Sequence, residues 1–170
     1  MTKVFKHYAK CNQHINADMI KVLEGAKENA YDRAVDGYFK SIGEILDHIY
    51  KADLVWLSNF KTVREFPALS DPVFGNMPKG GDRAFINLAA YAAARAHLDT
   101  IFIRLAAEIE ESDLDKFVVR VTRLGEKQEK LFWKALVHVF NHQTHHRGQV
   151  SQILDQLKIE NDYSNMIRID

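Results

Sequence analysis

The stretch Val137-His138-Val139-Phe140-Asn141-His142-Gln143-Thr144-His145-His146-Arg147-Gly148-Gln149 holds four of the chain's eight histidines. They are interleaved with apolar residues deep inside the sequence, which excludes a purification tag. The apolar positions continue through Val150, Ile153 and Leu157, and this period predicts a helix from near Glu129 to about Leu157. In such a helix His142 and His146 stand about one turn apart and project from the same side. Two imidazoles placed that way can share a metal ion, leaving the rest of the chain to supply a third ligand.

Helical phase separates the four histidines. With His138 at zero on a wheel of about 100° per residue, His142 falls near 40° and His146 near 80°, both approximate values. Val139, Val150, Ile153 and Leu157 fall between roughly 60° and 120°, which marks the buried face. His146 lies within that sector and His142 at its edge, whereas His138 and His145 lie outside it. The inward pair is His142 and His146. His138 and His145 are assigned a solvent-facing or outer-shell role.

Working outward, the first helix runs from Lys3 to about Lys27, with Val4, Tyr8, Cys11, Ile15, Met19, Val22 and Leu23 at spacings of three and four. Asp32 or Asp36 can cap a second helix reaching about Phe60, with Tyr38, Ile42, Ile45, Ile49 and Leu57 inward. All three prolines (Pro67, Pro72, Pro78) then fall in one segment with Gly75, Gly80 and Gly81, the long irregular connection where a lid or crossover belongs. Asp82 can cap a third helix through Ala84, Ile86, Tyr91, Leu98, Phe102 and Leu105 to about Glu110. Phe117–Leu124 is β-branched and followed by Gly125, so it reads as a short strand or hairpin arm. The expectation is an all-α protein: a four-helix bundle with a long crossover between helices 2 and 3 and a short strand-like insert before helix 4. The tail from Lys158 to Asp170 has little periodicity and is expected to pack across the bundle or fray.

A chain of 170 residues suits one domain spanning 1–170. Lys+Arg and Asp+Glu are equal at 23 each, which removes the usual electrostatic reason to expect a nucleic-acid partner. Cys11 is the sole cysteine, so no intrachain disulfide can form, as fits a reducing compartment. The N-terminus lacks the apolar core of a signal peptide, and no apolar run is long enough to cross a bilayer. The expected location is the cytoplasm, with no membrane partner.

A third ligand must come from another helix. His7, His14, His48 and His97 are candidates, with carboxylates as substitutes. His48 lies one turn from Ile45 and Ala52, near the inward face, yet periodicity alone does not select it over His14. Other chemistries fit less well. A di-iron carboxylate bundle needs Glu-x-x-His on two helices, whereas Glu44 and His48 have the wrong spacing and no second copy exists. His-Glu-x-x-His is absent, which disfavours that metalloprotease class. Cys11 near His14 reads as a small buried thiol, and Trp56 and Trp133 as packing residues or pocket mouth. Asp47 and Asn141 adjoin histidines in sequence, but successive helical residues face apart. Arg147 and Gln149 are read as pointing away from the metal sector, toward inter-helix hydrogen bonds or dimer contacts.

The pattern Ile45-Leu46-Asp47-His48 followed by Trp56-Leu57, the segment His138 to Gln149 with its HHRGQ core, and Asn161-Asp162-Tyr163-Ser164 in the tail resemble the DinB/YfiT-like superfamily of four-helix-bundle metalloproteins. The order of helices, crossover and insert extend the likeness over nearly the whole chain, as one DinB-like domain. Carried onto this sequence, the resemblance implies a metal triad of His48, His142 and His146, a divalent transition metal (zinc or nickel) and a homodimer. It implies no DNA chemistry. Some members of the wider superfamily are thiol-dependent transferases or isomerases using bacillithiol, mycothiol or glutathione. The implied function is therefore a metal-dependent thiol S-transferase that activates a small-molecule thiol toward an electrophile. The alternatives are a metal-dependent hydrolase, or a non-catalytic dimeric interaction module with a structural or vestigial metal site. Three neutral imidazoles leave the ion's charge uncompensated and a coordination position open, which argues against a purely structural ion.

Overall fold

The computed structural model describes residues 1–26, 29–78, 83–122 and 124–169. Four long helices carry the architecture among them: α1 (Thr2–Gly25), α2 (Ile42–Phe60), α3 (Leu88–Glu108) and α4 (Phe132–Gln156). Between α3 and α4 lies a two-stranded antiparallel hairpin, β1 (Phe117–Val121) with β2 (Lys127–Leu131). The all-α bundle with a strand insert is the architecture the sequence predicts. Lys27, Gly80, Gly81, Asp82 and Asp170, named in that reading, lie outside the described residues.

Local chemistry fixes the helix ends, and here the structure corrects the sequence. The second helix starts not at Asp32 or Asp36 but after Ser41, whose extended backbone lets its hydroxyl accept from the Glu44 amide at 3.2 Å. Asp32 is used otherwise, pairing with Arg83. Tyr38 thereby falls outside the helix and is 91 % exposed, not inward. Gly43 approaches Tyr31 closely: a Cβ there would stand 3.0 Å from the Tyr31 ring. Asn87 caps α3 through Ala90 N–H at 2.9 Å, leaving Ile86 outside the helix and exposed. Glu129 belongs to β2, so α4 begins three residues later than the pattern suggests. Val4 also faces solvent, while its neighbour Phe5 is the buried residue of that turn.

α1 packs on α3 and α2 on α4, while β1 lies across the end of α2. Phe60 and Phe132 meet edge to face at 5.0 Å, and Phe66 joins them from the crossover. Tyr8 stacks on Phe140 and Phe102 packs on it at a tilt, at the α1–α3–α4 junction. The crossover is pinned by two short 3-10 turns, Pro67–Ser70 and Pro72–Gly75, each opened by a proline whose missing N–H costs nothing there. Ala68 and Leu69 are buried, and the Ala68 amide donates to the Glu108 carboxylate at 3.0 Å. The tail packs across the bundle as one of the two expected outcomes. Asn161 accepts from Ser151 at 2.6 Å, and the Met166 carbonyl lies 3.8 Å from the Cys11 sulfur.

A buried polar network joins all four helices. Arg95, fully buried, donates to Asp53 at 2.6 Å and to Asp99 at 2.8 Å. Gln143 donates to Asp53 at 3.0 Å and accepts from Asn12, and Asn16 donates to Asp99 at 3.1 Å. Arg147 reaches Asn16 and Gln143, both at 3.4 Å, and Thr144 at 3.2 Å. Two guanidinium and two carboxylate groups thus share one low-dielectric centre, where each stays buried only because the others are present.

Candidate metal centre

In α2 the buried run Ile42, Ile45, Leu46, Ile49 and Leu57 sets the helix's rotation and leaves His48 half-buried on its flank. In α4, Val139, Gln143 and Val150 point to the core, which turns His142 and His146 toward α2. The Nε2 atoms of His48 and His142 lie 3.1 Å apart, as do those of His142 and His146. One ligand atom from each of the three falls within 4.8 Å of the others. Two imidazole nitrogens on one tetrahedral zinc, each bonded at about 2.0–2.1 Å, stand about 3.3–3.4 Å apart. The separations here are close to that value.

The protonation pattern fits the same purpose. Gln149 Oε1 accepts from His146 Nδ1–H at 2.7 Å, which leaves the His146 Nε2 lone pair facing the cluster. Burial, followed by the mutual repulsion of His146, His48, His138 and His145, pushes His142 down to about 4. Burial and then His146 lower His48, and burial lowers His146 against the opposing Gln149 bond. At neutral pH these are neutral imidazoles, the form that ligates. Converging nitrogen lone pairs repel unless a proton or a cation lies between them.

Aromatic side chains wall the cluster. Phe39, from the connection before α2, sits 5.2 Å from the His48 ring and meets His146 edge-on at 5.6 Å. On the other side His138 lies 6.0 Å from His142, and Trp56 packs on His138 at 5.0 Å. His138 and His145 are exposed, in line with helical phase. Gln149 corrects the sequence reading: it faces the metal sector, since residues three apart share a helix face. That spacing was the available signal. Phe39, in an irregular segment, offered none.

The remaining candidates lie elsewhere. His14 pairs with Asp18 at 3.1 Å and His97 with Asp71 at 3.1 Å. His7, not His14, contacts Cys11, at 3.4 Å, and burial pushes the Cys11 thiol up, away from nucleophilic use. Asp47 accepts from the Ala84 amide at 2.7 Å and pairs with Lys51, fastening the crossover's end to α2. Arg147 makes inter-helix hydrogen bonds, as expected. The tail covers the opposite flank of α4, where Thr144, Arg147, Ser151 and Tyr163 line a pocket of about 360 Å³ that contains none of the three histidines. No described helix is long and apolar enough to cross a membrane.

The chain is similar to known proteins over most of its length. Protein DinB of Bacillus subtilis (strain 168) is 24 % identical over 159 residues, covering 89 % of this chain and 84 % of its own length. The family model described as "DinB family" matches residues 1–160, a span that takes in all four helices, the hairpin and the three converging histidines. On that match the chain belongs to the DinB family.

Proposed function

We propose that His48, His142 and His146 bind a divalent transition metal, zinc or nickel, and that the centre serves a thiol S-transferase acting on a low-molecular-weight thiol. The observation that carries this reading is the convergence of three neutral Nε2 atoms on one point. No carboxylate among the described residues joins them. When bound, the ion supplies Lewis acidity in an open coordination position, lowering the pKa of a thiol that enters it. The chain's own part is to hold that position. Gln149 fixes the His146 tautomer, and Phe39 shields one side from water. Trp56 and His138 border the other side along the α2–α4 flank. In the overall reaction the thiol proton leaves to solvent, the sulfur bonds to an electrophilic carbon, and that carbon's leaving group departs with its electron pair. That no carboxylate among the described residues joins the three histidines favours this over the hydrolase reading, since metal-dependent hydrolases of the His-Glu-x-x-His kind employ one.

The test is metal analysis of purified, tag-free protein beside His48→Ala and His146→Ala. Near-stoichiometric zinc or nickel in the wild type, lost in both variants, followed by thiol consumption with a model electrophile, is the expected result. No metal uptake on reconstitution would overturn it.

A further inference from the structure

Along the flank of the bundle, one side-chain ladder leads away from the three histidines. His138 precedes His142 by one turn of α4, and Trp56 follows His48 by about two turns of α2. Their rings lie 5.0 Å apart. The Arg120 guanidinium carbon also stands near Trp56, 5.3 Å from the indole.

Strand geometry explains why Arg120 is there. Residues two apart in a strand share a face, and Val118 on β1 is fully buried against the bundle. Arg120 is therefore turned toward α2, not away from it. It stands opposite Gln128 on β2, while Glu129, opposite Val119, falls on the other face. Among the described residues neither Arg120 nor His138 has a carboxylate within ion-pair distance, and the indole is the guanidinium's sole described partner. An arginine that stacks on an aromatic face keeps its fork of N–H donors free at the edge, in the geometry that grips a carboxylate. His138 carries an N–H donor in either protonation state. Two donors thus border one aromatic side chain, both solvent-accessible, and His138 lies 6.0 Å from His142 of the three-histidine cluster.

We propose that Arg120 and His138, both in contact with Trp56, form a subsite for the carboxylate of an anionic thiol whose sulfur occupies the three-histidine centre. The inference rests on the thiol-transferase reading and names the cosubstrate class: a thiol with a carboxylate several bonds from sulfur. Binding is a double anchorage, with sulfur at the histidines and carboxylate at the hairpin, and the intervening chain lies over Trp56.

The test uses cobalt-substituted full-length protein and a series of mercaptoalkanoates of three to eight carbons, each paired with the mercaptoalcohol of the same length. Binding is read from the thiolate-to-cobalt charge-transfer band and from tryptophan fluorescence. The wild type is expected to bind at least one acid about tenfold more tightly than its alcohol, as befits a charge-assisted hydrogen bond. Arg120→Gln is expected to bring that acid to the affinity of its alcohol and to leave the alcohol unchanged. His138→Gln should remove part of the preference. Equal binding of acid and alcohol at every length in the wild type, with the band present, would overturn the subsite and leave the thiol reading standing. So would an Arg120→Gln effect of the same size on both members of a pair. Absence of the band with every thiol would instead sink the thiol reading itself, and the subsite with it.

Discussion

Gln149 Oε1 lies 2.7 Å from His146 Nδ1, one turn further along the same helix. The amide decides which imidazole nitrogen carries the proton and holds the ring against rotation. Outer-shell partners of this kind are worth about 10- to 100-fold in metal affinity. Gln149→Ala is therefore expected to weaken zinc or nickel binding by about that factor while the helical circular dichroism is unchanged. Competition against a chelator of known affinity measures it; unchanged affinity would remove Gln149 from the site.

Metal-free protein should lose stability in mild acid. His142 is held near 4, whereas a histidine in the unfolded chain titrates near 6.5. Between those values the unfolded chain takes up a proton that the folded one refuses. The contribution of neutral His142 is complete above about pH 6.5 and lost as pH falls toward 4. Asp53, raised to about 6 by burial, has the opposite slope, because its folded state binds the extra proton. Comparing urea midpoints of the wild type and His142→Asn between pH 7.5 and 4.5 cancels the Asp53 effect, and the variant should fall less steeply. Parallel curves would count against the depressed pKa.

Arg95 tests the polar centre. Arg95→Met leaves Asp53 and Asp99 buried without their shared cation. A loss of about 3–5 kcal/mol is expected in urea unfolding, the usual cost of breaking a buried pair from one side. A change below about 1 kcal/mol, the scale of an exposed ion pair, would mean that water reaches the cluster.

Gly148 interrupts α4 without a packing reason, since nothing lies within 4 Å of where its Cβ would sit. Gly148→Ala should raise stability by about 0.5–1 kcal/mol through helix propensity alone. Denaturant titration of the metal-free protein reads the gain directly.

Helix phase alone turned His142 and His146 inward, because Val139 and Val150 mark the core so clearly. It did not choose His48 over His14. Both lie on amphipathic helices, and family resemblance, not periodicity, singled out His48. The start of α2 was misplaced because Asp32 and Asp36 have the chemistry of caps, whereas Ser41 holds the extended backbone that a cap needs. The polar centre was illegible for a different reason. Asp53, Arg95, Asp99 and Arg147 each look like surface residues singly, and only the superposition of four helices shows that they neutralise one another. Phe39 and the Arg120–Trp56 contact arise from loop and hairpin geometry that no helical period encodes.

Gln143 follows His142 and Arg147 follows His146, and both belong to the network that binds α4 to the other three helices. Each of these histidine-bearing turns is thus held in rotation by bonds that owe nothing to an ion. Small zinc domains gain their fold from the metal and lose it to a chelator. Here the cup is cast before it is filled. If the three histidines hold an ion as proposed, ions can exchange there while the bundle stays folded, and which one resides becomes a matter of supply and coordination preference.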